Sequence, residues 1–254
     1  MRKVTVIKVG GRVAEDEAVL NSFLDDFVNL KGFKVLVHGG GVIATQMAKK
    51  LGIETEMIDG RRVTDKDMLE VTTMVYAGLV NKNIVAKLQS RKVNAIGLTG
   101  ADLNIIHSLK RNPVPVDFGW VGDIETVDAN WLQVFLEQGV IPVIAPLTHD
   151  GKGNMLNTNA DSIASFIASR LANKIETDLI SCFDREGVFN GDEILSSLRI
   201  SEYDELKNSA AIKDGMIPKL DLGFEALSQG VNSVTIKGFD ALSDETKGTR
   251  LIHE

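Results

Sequence analysis

The sequence predicts an α/β fold, a mostly parallel sheet covered by helices on both faces, and three observations carry that reading. Short apolar runs rich in β-branched residues alternate along the chain with longer segments of helical periodicity. Glycine clusters stand where the first two strands end, the first as Lys8-Val9-Gly10-Gly11 and the second as His38-Gly39-Gly40-Gly41. The chain has 254 residues, 44% hydrophobic and 25% charged, enough to bury a large core without disulfide or metal staples.

The alternation reads, in order, as a strand at 4–9, a helix at 17–30, a strand at 34–37, a helix at 42–51 and a long helix at 65–87. That long helix carries Met68, Val71, Val75 and Leu79 at spacings of three and four. A strand at 95–98 precedes irregular or hairpin structure across 104–127. Then follow a helix at 131–137, strands and helices in turn at 140–145, 161–171, 178–183 and 219–228, and a strand at 233–236. Right-handed crossovers place the carboxyl ends of such strands along one edge, where α/β proteins bind ligands. The lobe boundary is expected near 172–177, dividing the chain into 1–173 and 174–254.

Composition narrows the function classes. The formal net charge is −7 with Lys and Arg scattered, which argues against a nucleic-acid surface. The apolar stretch after Met1 is too short for a signal peptide, and no uncharged run is long enough to cross a bilayer. The single cysteine, Cys182, sits in an apolar run and reads as a small buried hydrophobe; with no internal disulfide available, a cytoplasmic location is expected. The four histidines form no metal set: His107, His149 and His253 read as loop or terminal residues, and His38 as hydrogen-bonded beside its glycines.

Glycines at a strand-to-helix junction let backbone N–H groups approach a ligand with no Cβ in the way, and a helix N-terminus adds partial positive charge. One such pair makes a tight turn just as well; two, converging from neighbouring strands with Lys8 beside them, suit a phosphoryl group. The run Gly39–Ala44 also matches a dinucleotide fingerprint, with Asp59 near the position of a ribose-binding acid, but that reading leaves Lys8, Gly10 and Gly11 unexplained and supplies no partner for hydride transfer. The Walker pattern is absent. A second lysine, Lys219, follows Gly215 and Pro218 at a helix start. In the run Asn157–Asp161, either Asn159 or Asp161 can cap the helix that follows, and the amides and acid also suit a polar ligand. Arg62, in Gly60–Asp65, is either a solvated loop residue or an anchor for a carboxylate.

Taken in order and spacing, these motifs resemble the amino-acid kinase family nearly end to end. The matching segments are Lys8-x-Gly10-Gly11, His38–Gly41, Gly60-x-Arg62-Val63-Thr64, Gly119–Asp123, Asn157-x-Asn159-Ala160-Asp161, Gly215–Lys219 and Gly248-Thr249-Arg250. Carbamate, uridylate, aspartate and glutamate 5-kinases share the first lysine and glycines; the Gly60–Thr64 and Asn157–Asp161 segments resemble the members that phosphorylate N-acylated glutamate. The resemblance implies a three-layer αβα sandwich of the carbamate kinase-like type. It implies ATP-dependent phosphorylation of the side-chain carboxylate of N-acetyl-L-glutamate, with N-succinyl-L-glutamate as the alternative acceptor and Mg²⁺ carried by the nucleotide rather than by a protein site. By similarity, Lys8 and Lys219 stabilise the phosphoryl in flight, Asp161 holds both lysines, and Gly10, Gly11, Gly40 and Gly41 offer N–H donors. Gly40, Gly41, Arg62, Asn157 and Asn159 would bind the acyl-amino acid in lobe 1–173, and Asp184, Gly187, Gly215, Met216 and Lys219 the ATP in lobe 174–254. Two positions depart from the family pattern: Leu103 after Asp102 near the substrate lid, and Phe183 before Asp184 near the nucleotide. Arginine-inhibited hexamers of the family carry a helix ahead of the first strand; here the strand follows Met1 almost at once, so a homodimer joined through helix 65–87 and little arginine feedback are expected.

Overall fold

The computed structural model describes residues 3–58, 60–209, 211–212 and 215–253. Met1, Asp59 and Asp214, which enter the sequence reading as the chain start, the ribose-acid position and the opening of the Lys219 motif, lie outside the described residues.

In chain order the elements are β1 (Lys3–Val9), α1 (Glu17–Asn29), β2 (Phe33–His38), α2 (Gly41–Lys50), β3 (Met57–Ile58), β4 (Arg61–Arg62), α3 (Lys66–Thr73), α4 (Asn81–Ser90) and β5 (Ala95–Leu98). Next come β6 (Ile106–Lys110), β7 (Gly122–Val127), α5 (Ala129–Glu137), β8 (Ile141–Ile144), β9 (Leu147–His149), β10 (Met155–Asn157) and α6 (Ala160–Ala172). The rest are β11 (Glu176–Phe183), β12 (Phe189–Asn190), β13 (Glu193–Ile194), β14 (Ser197–Arg199), α7 (Ile200–Asn208), α8 (Ile217–Ser228), β15 (Ser233–Gly238) and β16 (Thr249–Ile252).

Eight strands form one sheet in the order β14-β16-β15-β11-β1-β2-β8-β5. The strands from β15 to β5 run parallel, and β16 joins β15 antiparallel, so the carboxyl ends of the parallel strands share one edge. Side chains alternate across β1. Val4 and Val6 point into a core with α5, α6, α7 and α8; Ile7 and Val9 point into a second core with α1, α2, α3 and α4. Lys8 has the parity of Val6, so the last turn of the strand aims it toward α6 and α8. Because β11 pairs with β1, the sheet continues through the expected lobe boundary without interruption. A second sheet, β10-β9-β6-β7, carries the 104–127 segment as a β6–β7 hairpin.

Some local expectations need correction. His107 and His149 are not loop residues: they face each other on β6 and β9, with ring centroids 5.5 Å apart in an edge-on arrangement. The pairing joins segments distant in sequence, which local pattern does not reveal. The long helix runs on to Ser90 and contains a π-helical segment, Met74–Val80. Helix α7 and strand β16 are additions; α7 buries only Tyr203, so its apolar periodicity is faint.

The α1 N-cap is Asp16, whose carboxylate accepts the N–H groups of Ala18 and Val19 at 2.8 and 3.0 Å. Asp16→Ala is expected to lower stability by about 1 kcal/mol in chemical denaturation. A buried polar group sits at the end of β2: His38, 1% exposed, whose imidazole burial lowers to about 4, with a hydrogen bond to Gly39 opposing and the charge of Lys82 assisting. The unfolded chain therefore binds a proton that the native state refuses between about pH 6.5 and pH 4, so stability falls as pH drops through that window. Denaturation at pH 7 and pH 4.5 is expected to differ by roughly 2–3 kcal/mol from this group, and His38→Asn to remove that share of the slope.

Candidate active site

Three charged side chains from three elements meet where the strands end. Lys8 leaves the end of β1 and places Nζ 2.9 Å from Asp161 Oδ1. Lys219, in the first turn of α8, places Nζ 2.7 Å from Asp161 Oδ2. Ser181, the register partner of Lys8 on β11, donates its hydroxyl to Asp161 Oδ1 at 3.3 Å. Asp161 is free for this because Asn159 caps α6, accepting the N–H groups of Asp161 and Ser162 at 2.7 and 3.1 Å. The two functions that the sequence leaves open for this pair are divided between them: the amide caps and the carboxylate binds cations.

Burial opposes the charge on Asp161, but Lys8 and Lys219 overcome it and hold the carboxyl well below the usual carboxylate range. Burial lowers Lys8, and the neighbouring Lys219 adds to this while Asp161 acts against it. Two cations balanced by one anion leave the cluster with a surplus positive charge in a poorly solvated place, a standing demand for an anionic ligand.

The two glycine loops pack against each other beside this cluster. A methyl group on Gly11 would lie 2.9 Å from the Gly40 nitrogen, and one on Gly39 2.8 Å from the Gly11 nitrogen. One on Gly40 would strike the Tyr76 ring at 2.6 Å, so these positions admit no side chain. The expectation that Gly10 offers an N–H donor does not survive: that N–H bonds the Cys182 carbonyl at 3.2 Å, extending the β1–β11 ladder by one residue. The N–H groups of Gly11, Gly40 and Gly41 have no hydrogen-bond acceptor among the described residues, and Gly41 opens α2.

Arg62 is 8% exposed, and its Nη2 donates to the Gly41 carbonyl at 2.8 Å and to Thr45 Oγ1 at 2.7 Å. The guanidinium is thereby tied to the second glycine loop. Asn157 Nδ2 donates to Thr64 Oγ1 at 2.9 Å, and its N–H to the Trp120 carbonyl at 2.9 Å. Trp120 N–H in turn bonds the Thr64 carbonyl at 2.6 Å, so the segments around 62, 120 and 157 form one wall. Gly119 is indispensable there: its φ is +72° and a Cβ would lie 2.2 Å from the Thr64 oxygen.

On the other side, Asp184 directly follows β11 and pairs with Arg12 Nη1 at 2.8 Å. Gly187 packs under the Gly248–Arg250 segment, where a Cβ would meet Thr249 Oγ1 at 2.8 Å. Met216 is half-buried, and its carbonyl accepts the Lys219 and Leu220 N–H groups at 3.0 and 3.1 Å, while Gly215 has open space around it. Burial pushes the Cys182 thiol up to about 12, which suits a core residue rather than a nucleophile. Sequence reasoning passed over Ser181, Arg12, Thr45 and Tyr76. A hydroxyl interrupting the apolar run of β11 is a signal for the first, and a cation directly after the Lys8–Gly11 motif for the second.

The arrangement is a cradle of two lysines and free main-chain N–H groups, built for an anion that spans the sheet edge. Residues 3–238 match the model of the amino acid kinase family. An acetylglutamate kinase of Bacteroides thetaiotaomicron is 51% identical, with 98% of each chain covered. Among solved structures, smu.665 from Streptococcus mutans superposes with a TM-score of 0.85 at 27% identity over 99% of both chains. Carbamate kinase from Giardia lamblia bound to AMP-PNP shares the fold, with a TM-score of 0.71 at 15% identity over 100% of this chain and 99% of that one. The chain belongs to the amino acid kinase family, within its acetylglutamate kinase branch.

Proposed function

We propose that this site transfers the γ-phosphoryl group of ATP to the side-chain carboxylate of N-acetyl-L-glutamate, giving N-acetyl-L-glutamyl 5-phosphate in arginine biosynthesis. The observation that carries this reading is the Lys8–Asp161–Lys219 cluster, with both ammonium groups on one carboxylate at 2.9 and 2.7 Å. Acetylglutamate kinases at about half identity over nearly the full chain support the acetyl substrate over the succinyl one.

The acceptor needs no general base. A glutamate side chain has a pKa of about 4.3 and is already ionised at neutral pH. The difficulty is to bring a carboxylate against a polyphosphate, and the protein meets it with fixed positive charge and dipoles. In this reading Lys8 and Lys219 stabilise the equatorial oxygens of the phosphoryl as it moves. Asp161 sets the positions of both lysines. The N–H groups of Gly11, Gly40 and Gly41 supply neutral donors. Arg62 and Asn157 grip the α-carboxylate of the acyl-amino acid, and Asn159 serves that side through the cap it provides to Asp161. Asp184, Gly187, Gly215 and Met216 belong to the nucleotide side, with residues 1–173 holding the acceptor and 174–254 the ATP. Mg²⁺ travels on the nucleotide phosphates. No helix among the described residues is long and apolar enough to cross a membrane. A cytoplasmic homodimer fits the pathway, and Met74 and Leu79, exposed on the long helix, offer apolar surface for its contact.

Incubation with Mg-ATP, N-acetylglutamate and hydroxylamine is expected to yield the trapped hydroxamate; its absence, with active enzyme controls, would end this reading. Lys8→Ala and Lys219→Ala are each expected to lower kcat by about 10²–10³-fold with smaller changes in KM, read by steady-state kinetics. Arg62→Lys is expected to raise KM for N-acetylglutamate by about tenfold and leave KM for ATP nearly unchanged, because an ammonium cannot reproduce the guanidinium fork.

A further inference from the structure

Behind the second glycine loop lies a buried polar chain that phosphoryl transfer, as described so far, does not use. It begins at a carbonyl. Val143 O can only accept, and Asn81 Nδ2 lies 3.0 Å from it, which fixes the orientation of the Asn81 amide. The same Nδ2 lies 3.1 Å from His38 Nε2, so that ring nitrogen is the acceptor. The neutral imidazole then carries its proton on Nδ1, which lies 2.7 Å from the Gly39 carbonyl and donates to it. Both side chains are 1% exposed, and burial keeps the ring neutral.

The consequence lies in the next peptide plane. The Gly39 carbonyl and the Gly40 N–H belong to one planar unit and point in opposite directions. Holding the carbonyl inward against His38 therefore turns the Gly40 N–H outward. A peptide between two glycines otherwise flips at small steric cost, so the direction of this donor needs an external restraint. The chain supplies what the restraint requires. The π-helical segment Met74–Val80 ends directly at Asn81 and carries Tyr76, whose ring closes over Gly40. Gly97 leaves room for Asn81: a Cβ there would lie 1.8 Å from Asn81 Oδ1.

We propose that His38 and Asn81 are positioning residues for phosphoryl transfer: Asn81 selects the Nδ1–H tautomer of His38, and His38 locks the Gly39–Gly40 peptide so that the Gly40 N–H points at the phosphoryl in flight. The proposal rests on the kinase reading of the site, yet its first half is measurable without activity.

The test has a spectroscopic arm and a kinetic arm. Long-range ¹H–¹⁵N correlation of the full chain, with the His38 signal assigned by its loss in His38→Asn, is expected to show the Nδ1–H tautomer; the Nε2–H form would overturn the proposal. In His38→Asn the side-chain amide nitrogen can take the place of Nδ1–H. That variant is expected to keep kcat within about threefold, whereas His38→Leu loses about tenfold or more with both KM values within about threefold. Equal loss in the two variants, or a kcat near the wild-type value in His38→Leu, would refute it. Should His38→Leu not fold, Gly97→Ala, which displaces Asn81 and leaves His38 in place, is expected to lower kcat in the same way, and an unaltered kcat there would refute it. If the wild-type chain failed to phosphorylate N-acetylglutamate, the functional reading would fall while the tautomer result still stood.

Discussion

Two ammonium groups share one half-buried carboxylate at Asp161, and the rest of the molecule is arranged around the need to keep them there. Burial lowers Lys8 and the second ammonium beside it adds to this, while the Asp161 carboxylate between the two groups acts against it and draws them together. Each partner comes from a different element: β1, α6 and α8. Their convergence depends on β1 lying beside β11 and on the α6 N-terminus reaching the same sheet edge. A fault in any of these would leave an unpaired charge in the interior, which costs far more than the net gain from an intact pair.

The glycine loops answer the same constraint with dipoles instead of charges. Donor N–H groups add attraction for an anion without adding another cation to a cluster that already holds two. Their close approach, with atoms of Gly11 and Gly39–Gly41 occupying the space that side chains would fill, concentrates several donors on one spot. Arg62 is tied to the same loops, bonded to the Gly41 carbonyl at the start of α2. The wall that joins the segments around 62, 120 and 157 continues from there through β10 into the hairpin sheet.

Glycine-rich construction has a cost, because bare backbone can adopt many conformations. Here the restraint comes from outside the loops, from Tyr76 against Gly40 and from His38 and Asn81 behind Gly39. The π-helical segment explains how α4, packed against β5 and β8, can serve the site: one widened turn changes the face presented after it, so Asn81 turns to the core.

Much of this was legible in the residues. Strand and helix alternation determined the α/β class, since hydrophobic periodicity is a local property and the chain has it in most elements. The glycine clusters and Lys8 stood out because each sits beside a strand end, where adjacency in sequence is adjacency in space. Lys219, Asp161 and Arg62 were visible as polar residues at helix starts, but their isolated patterns fit capping or solvation equally well, and their family resemblance rather than local chemistry singled them out. The tertiary structure decided that Asn159 caps and Asp161 binds, that the Gly10 N–H is spent on the sheet, that His107 and His149 face each other across two strands, and that Ser181 and Asn81 take part. In each case the deciding contact joins residues far apart in sequence, and a hydrogen-bond donor or charge has one destination only once its neighbours in space are known.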